Sequence, residues 1–193
     1  MTPMDLRLHH LEPASRANGP GLRAVLWLQG CTLGCPGCFN PQTHPTNIGR
    51  LHSVPQLAAE LCGMAQDVEG VTISGGEPLQ QMPALTALLE LVRRQSNLSV
   101  VLFSGYTWQE IEHMPAAPRL LAQVDVLIAG RYQSEQRLAS GLIGSTNKTL
   151  HFLTARYTAQ QIQAVPPAEV IITADGEIHL SGIEPLNWEQ PPC

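Results

Sequence analysis

The sequence predicts an α/β fold, an open partial barrel of the (βα)6 type in which most strands run parallel. Strand-like runs that are apolar on both faces alternate with amphipathic helical runs, the pattern of a parallel sheet covered by helices. About six such strands fit into the 193 residues, too few for an eight-unit barrel of roughly 250 residues. Right-handed crossovers curl such a sheet one way and leave the carboxyl ends of its strands as the place for ligands.

The elements follow in order. Residues 22–28 (LRAVLWL) read as a strand that delivers the chain to Gly30 and a cysteine-rich loop. Ser53-Val-Pro-Gln56 has the form of a capping box with proline in the first turn. The helix it opens carries Leu57, Leu61 and Met64 on one face. Val71-Thr-Ile73 is a short buried strand running into Ser74-Gly-Gly-Glu-Pro78. Leu85, Leu88, Leu89 and Val92 then keep the spacing of an amphipathic helix. Residues 98–103 form the next strand, ended by Gly105, and Thr107-Trp-Gln-Glu110 caps a short helix. Residues 124–128 are a fourth strand, while 170–172 and 178–180 read as a strand and its return around Asp175-Gly176. One core domain, 22–180, is expected between a loose N-terminal segment, 1–21, and a C-terminal tail, 181–193, ending in Gln190-Pro-Pro-Cys193.

Composition narrows the function. With 44% hydrophobic and 14% charged residues and a net charge of −5, the chain suits a globular fold burying about 70% of its unfolded surface. No run approaches the ~18 apolar residues of a membrane span, and the N-terminus has no basic region followed by an apolar one. Five cysteines, three of them crowded, point to the reducing cytoplasm rather than to a disulfide framework. Mild acidity without Lys/Arg clusters argues against nucleic acid as a partner.

The crowded cysteines are Cys31, Cys35 and Cys38. Three thiolates hold three irons of a [4Fe–4S] cube and leave the fourth iron open to a small molecule, whereas four close the site. Two other readings compete. Cys35-Pro-Gly-Cys38 alone is a redox pair of the thioredoxin kind, which leaves Cys31 unexplained. A zinc site with His44 as fourth ligand suits the donor types, but no second ligand pair follows. The open cluster is favoured. Cys62, beside its helix's apolar face, reads as a buried small hydrophobe, and Cys193 as free on a frayed terminus. His9, His10, His52, His113, His151 and His179 show no ligand spacing. In Ser74–Pro78, Gly75 and Gly76 let backbone approach a ligand and Glu77 adds a carboxylate; the bland alternative, which the segment taken alone favours, is a strand-to-helix turn with a solvated glutamate.

In combination these segments resemble the radical S-adenosylmethionine (SAM) superfamily, and within it the small activases of glycyl-radical enzymes. Asn18-Gly-Pro-Gly-Leu-Arg23, Gln29-Gly-Cys31, the cysteine triplet and the Gly-Gly-Glu segment come in the family's order. Cys35-Pro-Gly-Cys-Phe-Asn40, Phe103–Tyr106, Val124–Leu127 and Gly144-Ser-Thr-Asn147 are similar to rim segments of the anaerobic ribonucleotide reductase activases. Gly37 stands where the superfamily usually has an aromatic, a glycine those activases share. Ala129, followed by Gly130-Arg131, stands where they tend to carry an acidic residue.

The resemblance implies Cys31, Cys35 and Cys38 as ligands of a [4Fe–4S] cluster. It implies a SAM site at Gly37, Cys38, Phe39, Asn40, Gly75, Gly76, Glu77 and Ser104, with no catalytic side chain beyond cluster and cofactor. Phe39 has two readings, packing near adenine or shielding the cluster. Asn40 is a turn former ahead of Pro41 or a SAM contact, and Ser104 a strand-end hydroxyl or a ligand of the SAM carboxylate. The implied activity is reductive cleavage of SAM to a 5′-deoxyadenosyl radical that takes a hydrogen from a glycine of a larger glycyl-radical protein. A flavodoxin- or ferredoxin-type protein would supply the electron. A stand-alone radical enzyme acting on a small molecule, as the deazapurine synthases do, or on a peptide is the alternative, and a non-enzymatic iron–sulfur or zinc module the third.

Overall fold

A computed structural model describes residues 4–173 and 175–183. The expectations for Gln190–Cys193 and most of the tail lie outside these residues. In chain order the elements are β1 (Asp5–Ser15), β2 (Arg23–Leu28), β3 (Arg50–Ser53), α1 (Val54–Gly63), β4 (Gly70–Gly75), α2 (Met82–Gln95), β5 (Ser99–Ser104), α3 (Trp108–Glu112), α4 (Ala117–Leu121), β6 (Val126–Ala129), β7 (Arg137–Ser140), β8 (Ile143–Ser145), β9 (Thr149–Phe152), α5 (Ala159–Gln163), β10 (Ala168–Ile172) and β11 (Ile178–Gly182). Seven strands form one sheet in the order β3-β1-β2-β4-β5-β6-β9. Its centre, β2-β4-β5-β6, is parallel, and β1 and β9 run against it. The sheet is open, with β3 and β9 at its edges.

This is the expected class, an open and mostly parallel α/β sheet, with a different strand roll. Four of the six expected strands form the parallel centre. Among the described residues the last two, β10 and β11, pair only with each other. The N-terminal segment, expected to be loose over 1–21, is a correction: its described residues include β1, which lies between β2 and β3. The alternation of Leu6 and Leu8, both buried, is lost at His9-His10, where the register with β2 shifts, so period-2 patterning covers too few residues to declare the strand.

The parallel strands are apolar on both faces because both are covered. Leu26, Ile73, Leu102 and Leu127 pack on one side with Leu57 and Leu61 of α1, Leu85 and Leu88 of α2 and Leu120 of α4. Val101, Val126 and Ile128 face the other way, against Leu142, Tyr157, Ile162 and Val165. Thr107 and Glu110 make the expected reciprocal capping box. Ser53 occupies the N-cap of α1 but caps nothing with its side chain. It is still paired to Asp5 in the sheet, and the Val54 amide is satisfied by the Met4 carbonyl at 3.0 Å instead.

Two buried polar groups hold the amino ends of the strands. Arg23 is 0% exposed and donates to Thr72 Oγ1, Ser99 Oγ, Tyr157 Oη and the carbonyls of Pro20, Val71 and Ser99, so its charge is spread over dipoles. Asp125 accepts from the Val100 amide, Thr154 Oγ1 and Arg93 Nη2, each at 2.7 Å. Burial alone would raise the Asp125 pKa, but these three bonds hold it below the ordinary aspartate value. A depressed carboxylate contributes stability in full above its unfolded pKa of about 3.9, and loses it as pH falls through the folded value. Asp125→Asn should therefore lower the melting temperature at neutral pH, at a cost of about 1–3 kcal/mol. The gap between variant and wild type should narrow below about pH 4; a gap constant in pH, measured by calorimetry, would contradict the assignment.

Candidate active site

The carboxyl ends of β2, β4 and β5 meet at one rim. Gly75 (φ 99°) turns the chain out of β4. A Cβ on Gly76 would lie 2.3 Å from the Gly30 carbonyl oxygen, and one on Gly75 2.5 Å from the Leu28 nitrogen. The two glycines thus admit the backbone of β2 and its loop, a different reason for their size than approach to a ligand. The close contact is bonded: the Gly76 amide donates to Leu28 O at 2.8 Å and the Glu77 amide to Gly30 O at 2.9 Å.

Glu77, 0% exposed, spends its carboxylate across the rim. Oε1 accepts from the Leu79 amide and from Ser104 Oγ, both at 2.9 Å, and Oε2 from the Gly105 amide at 2.7 Å. Burial raises its pKa, opposed by these bonds and by Lys148. The solvated-turn reading is therefore excluded. Ser104 is a strand-end hydroxyl: it accepts from the Tyr106 amide at 3.0 Å while its proton goes to Glu77.

The cysteine loop nests on this rim. Gly30 and Cys31 amides donate to the carbonyls of Thr43 and His44. Thr32 exchanges two hydrogen bonds with the Gln80 side chain, and Leu33 sits where a Cβ on Gly105 would meet its Cδ1 at 2.4 Å. Cys31, Cys35 and Cys38 are free and half-buried, and all three line one cavity of about 530 Å³ together with Gly75, Gly76, Glu77 and Ser104. Burial, followed by the nearby charges of Glu77, Cys35 and Cys38, pushes the Cys31 thiol up. Among the described residues no three His, Cys, Asp or Glu converge on one point. A cube spreads its ligands over three irons and fits half-buried thiols opening on one cavity.

Gly37 has φ 68°, a left-handed conformation that disfavours any side chain and accounts for the missing aromatic. Phe39 packs against Tyr132, ring centroids 4.4 Å apart, with the Arg137 guanidinium 5.0 Å from its centre. Asn40 is a turn former, its carbonyl accepting from the Thr43 amide and hydroxyl. Both line the cavity. Cys62 is half-buried and packs against the core away from this site.

Reasoning from sequence missed Lys148. Its Nζ donates to the Gly130 carbonyl, and it lines the cavity within electrostatic reach of Cys35, Glu77 and Cys38, although burial lowers its pKa. Arg131, by contrast, is held by Glu110 through two bonds of 2.7 and 3.0 Å, which with the Thr107 amide lower the Glu110 pKa to about 2. Lys148 follows Gly144-Ser-Thr-Asn147, a segment already singled out, and its spacing to the cysteines in sequence carries no signal.

Comparison with known proteins agrees with this geometry. Residues 17–151 match the family model described as a 4Fe-4S single cluster domain. The anaerobic ribonucleoside-triphosphate reductase-activating protein of Vibrio cholerae is 33% identical over 159 residues, covering 77% of this chain and 99% of its own length. The proteins of that name from Enterobacteria phage T4 and Escherichia coli K12 are 32% and 28% identical, covering 72% and 77% of this chain. The chain, with its three thiols and Gly-Gly-Glu turn on one rim, belongs to this family of radical SAM activating proteins.

Proposed function

We propose that the protein cleaves SAM on a [4Fe–4S] cluster held by Cys31, Cys35 and Cys38 and installs a glycyl radical on an anaerobic ribonucleoside-triphosphate reductase. The observation that carries it is the opening of three thiols, a buried Gly-Gly-Glu turn and one lysine onto a single cavity. A [4Fe–4S] cluster, which Cys31, Cys35 and Cys38 would hold, would supply the electron for reductive cleavage of SAM. The chain's residues bind and orient. Glu77 Oε2, with one acceptor position taken by Gly105, has a second for the methionine ammonium. Lys148 is the cation for the methionine carboxylate. Ser104 acts through Glu77, since its proton is committed there. Phe39 and Asn40 wall the cluster end, and Gly37 gives the loop its turn. A flavodoxin- or ferredoxin-type donor in the cytoplasm supplies the electron.

Cys31→Ala, Cys35→Ala and Cys38→Ala should each lose the cluster, whereas Cys62→Ala and Cys193→Ala should keep it. Iron and sulfide analysis after anaerobic reconstitution decides, and a trio variant with full iron would sink the ligand assignment.

Glu77→Gln and Lys148→Met should retain iron yet weaken SAM binding roughly 10- to 100-fold, the worth of a hydrogen bond to a charged group. Anaerobic calorimetry gives the affinities; unchanged values would confine both residues to a structural role.

With reductant, SAM and the reductase, electron paramagnetic resonance should show a carbon-centred doublet on the reductase and 5′-deoxyadenosine as product. SAM turnover that depends instead on a small molecule, with no protein radical, would overturn the activase reading.

A further inference from the structure

The cavity is lined by more than the thiols and the Gly-Gly-Glu turn. Its floor is a row across three parallel strands. Trp27 is in register with Ser74, and the Ile73–Leu102 pair places Ser74 beside Phe103. All three line the cavity, one residue before Leu28, Gly75 and Ser104 at the strand ends. The small Ser74 between two rings makes a notch. The opposite wall is the β10–β11 hairpin, whose cross-strand partners Ile171 and His179 both line the cavity.

The hairpin is held there by polar groups. Glu169 accepts from Ser15 Oγ and from the Arg16 and Ala17 amides, and Asn18 Nδ2 bridges Ser15 Oγ and Ser181 Oγ at 2.7 Å each. Its other face leaves Val170, Ile172 and Ile178 40–69% exposed. A two-stranded hairpin is marginal by itself, so the latch, and not apolar burial, keeps this one against the cavity. It also lies beyond residues 17–151, the segment the family model covers.

We infer that the hairpin and the Trp27–Ser74–Phe103 row form the slot that receives the partner's glycine-bearing segment in extended form. The inference rests on the activase reading and adds to it the residues that recognise the partner. Other lining groups, among them His10, Asn18, His179 and Ser181, offer hydrogen-bond donors and acceptors of the kind that peptide amides need. Among the described residues lining the cavity the one Lys or Arg is Lys148. Glu12 adds negative charge, so phosphates and carboxylates are disfavoured here. The notch over Ser74 favours a residue without a side chain, flanked by backbone lying over the two rings.

The test uses the full chain, reconstituted, with the anaerobic ribonucleoside-triphosphate reductase of the same genome. Ile171→Asp and His179→Ala should lower the rate of glycyl doublet formation about tenfold or more, while SAM affinity moves less than about threefold. The outward-facing Ile172→Ser should change neither. Should Ile171→Asp fail to take up iron, His179→Ala carries the decision. Equal doublet rates in wild type and both inward-facing variants would overturn the slot with the activase reading intact. A wild type that cleaves SAM but gives no doublet would overturn the activase reading, and the slot with it.

Discussion

One buried carboxylate makes the rim a single body. Glu77 joins its own turn to the end of β5 through Leu79, Ser104 and Gly105, and its amide joins both to the cysteine loop through Gly30. Ionised carboxylate without partners would be costly at that depth, so the three donors are a condition of its presence. They also fix the thiol loop relative to β4 and β5. Preorganisation of this kind matters where a reactive radical must meet one hydrogen and no other.

The opposite ends of the same strands are locked by a buried cation. Arg23, Gly70 and Ser99 stand in register across β2, β4 and β5, and a Cβ on Gly70 would fall 2.1 Å from Ser99 Oγ. Two further cations are paired with carboxylates. Arg93 goes to Asp125 and Arg131 to Glu110, while Lys148 lines the cavity with no carboxylate among the described residues bonded to it. The absence of an acidic residue at Ala129 is thereby explained in part: Ala129 is buried in the core, facing the helices, and the charge at this rim comes from elsewhere.

The sequence made the parallel centre legible because β2, β4, β5 and β6 are short, doubly apolar runs, and α2 keeps a clean helical period. It made the cysteine triplet and the Gly-Gly-Glu segment stand out by their spacing, and the structure opens both onto one cavity. Three things were hidden. β1 changes register at His9-His10, and β3 and β9 are short edge strands whose alternation is too brief to read. Ser104 gave no sign that its proton would be committed to Glu77, 27 residues away. Lys148 acquires its meaning only when the chain returns past β8 to the strand ends, a long-range contact that local pattern cannot carry.

The position of β1 also bears on how the protein is assembled. The excursion that bears the thiols, residues 29–49, leaves from β2 and returns as β3, and β1 hydrogen-bonds both. Its ends are therefore clasped by polypeptide, and the entropy of closing it is met by the sheet before any iron arrives. In small metal domains the unfolded apo state makes metal uptake and folding one event. Here the pairing of β1 with both ends of the excursion is made by polypeptide alone, so closing the loop would not have to wait for metal.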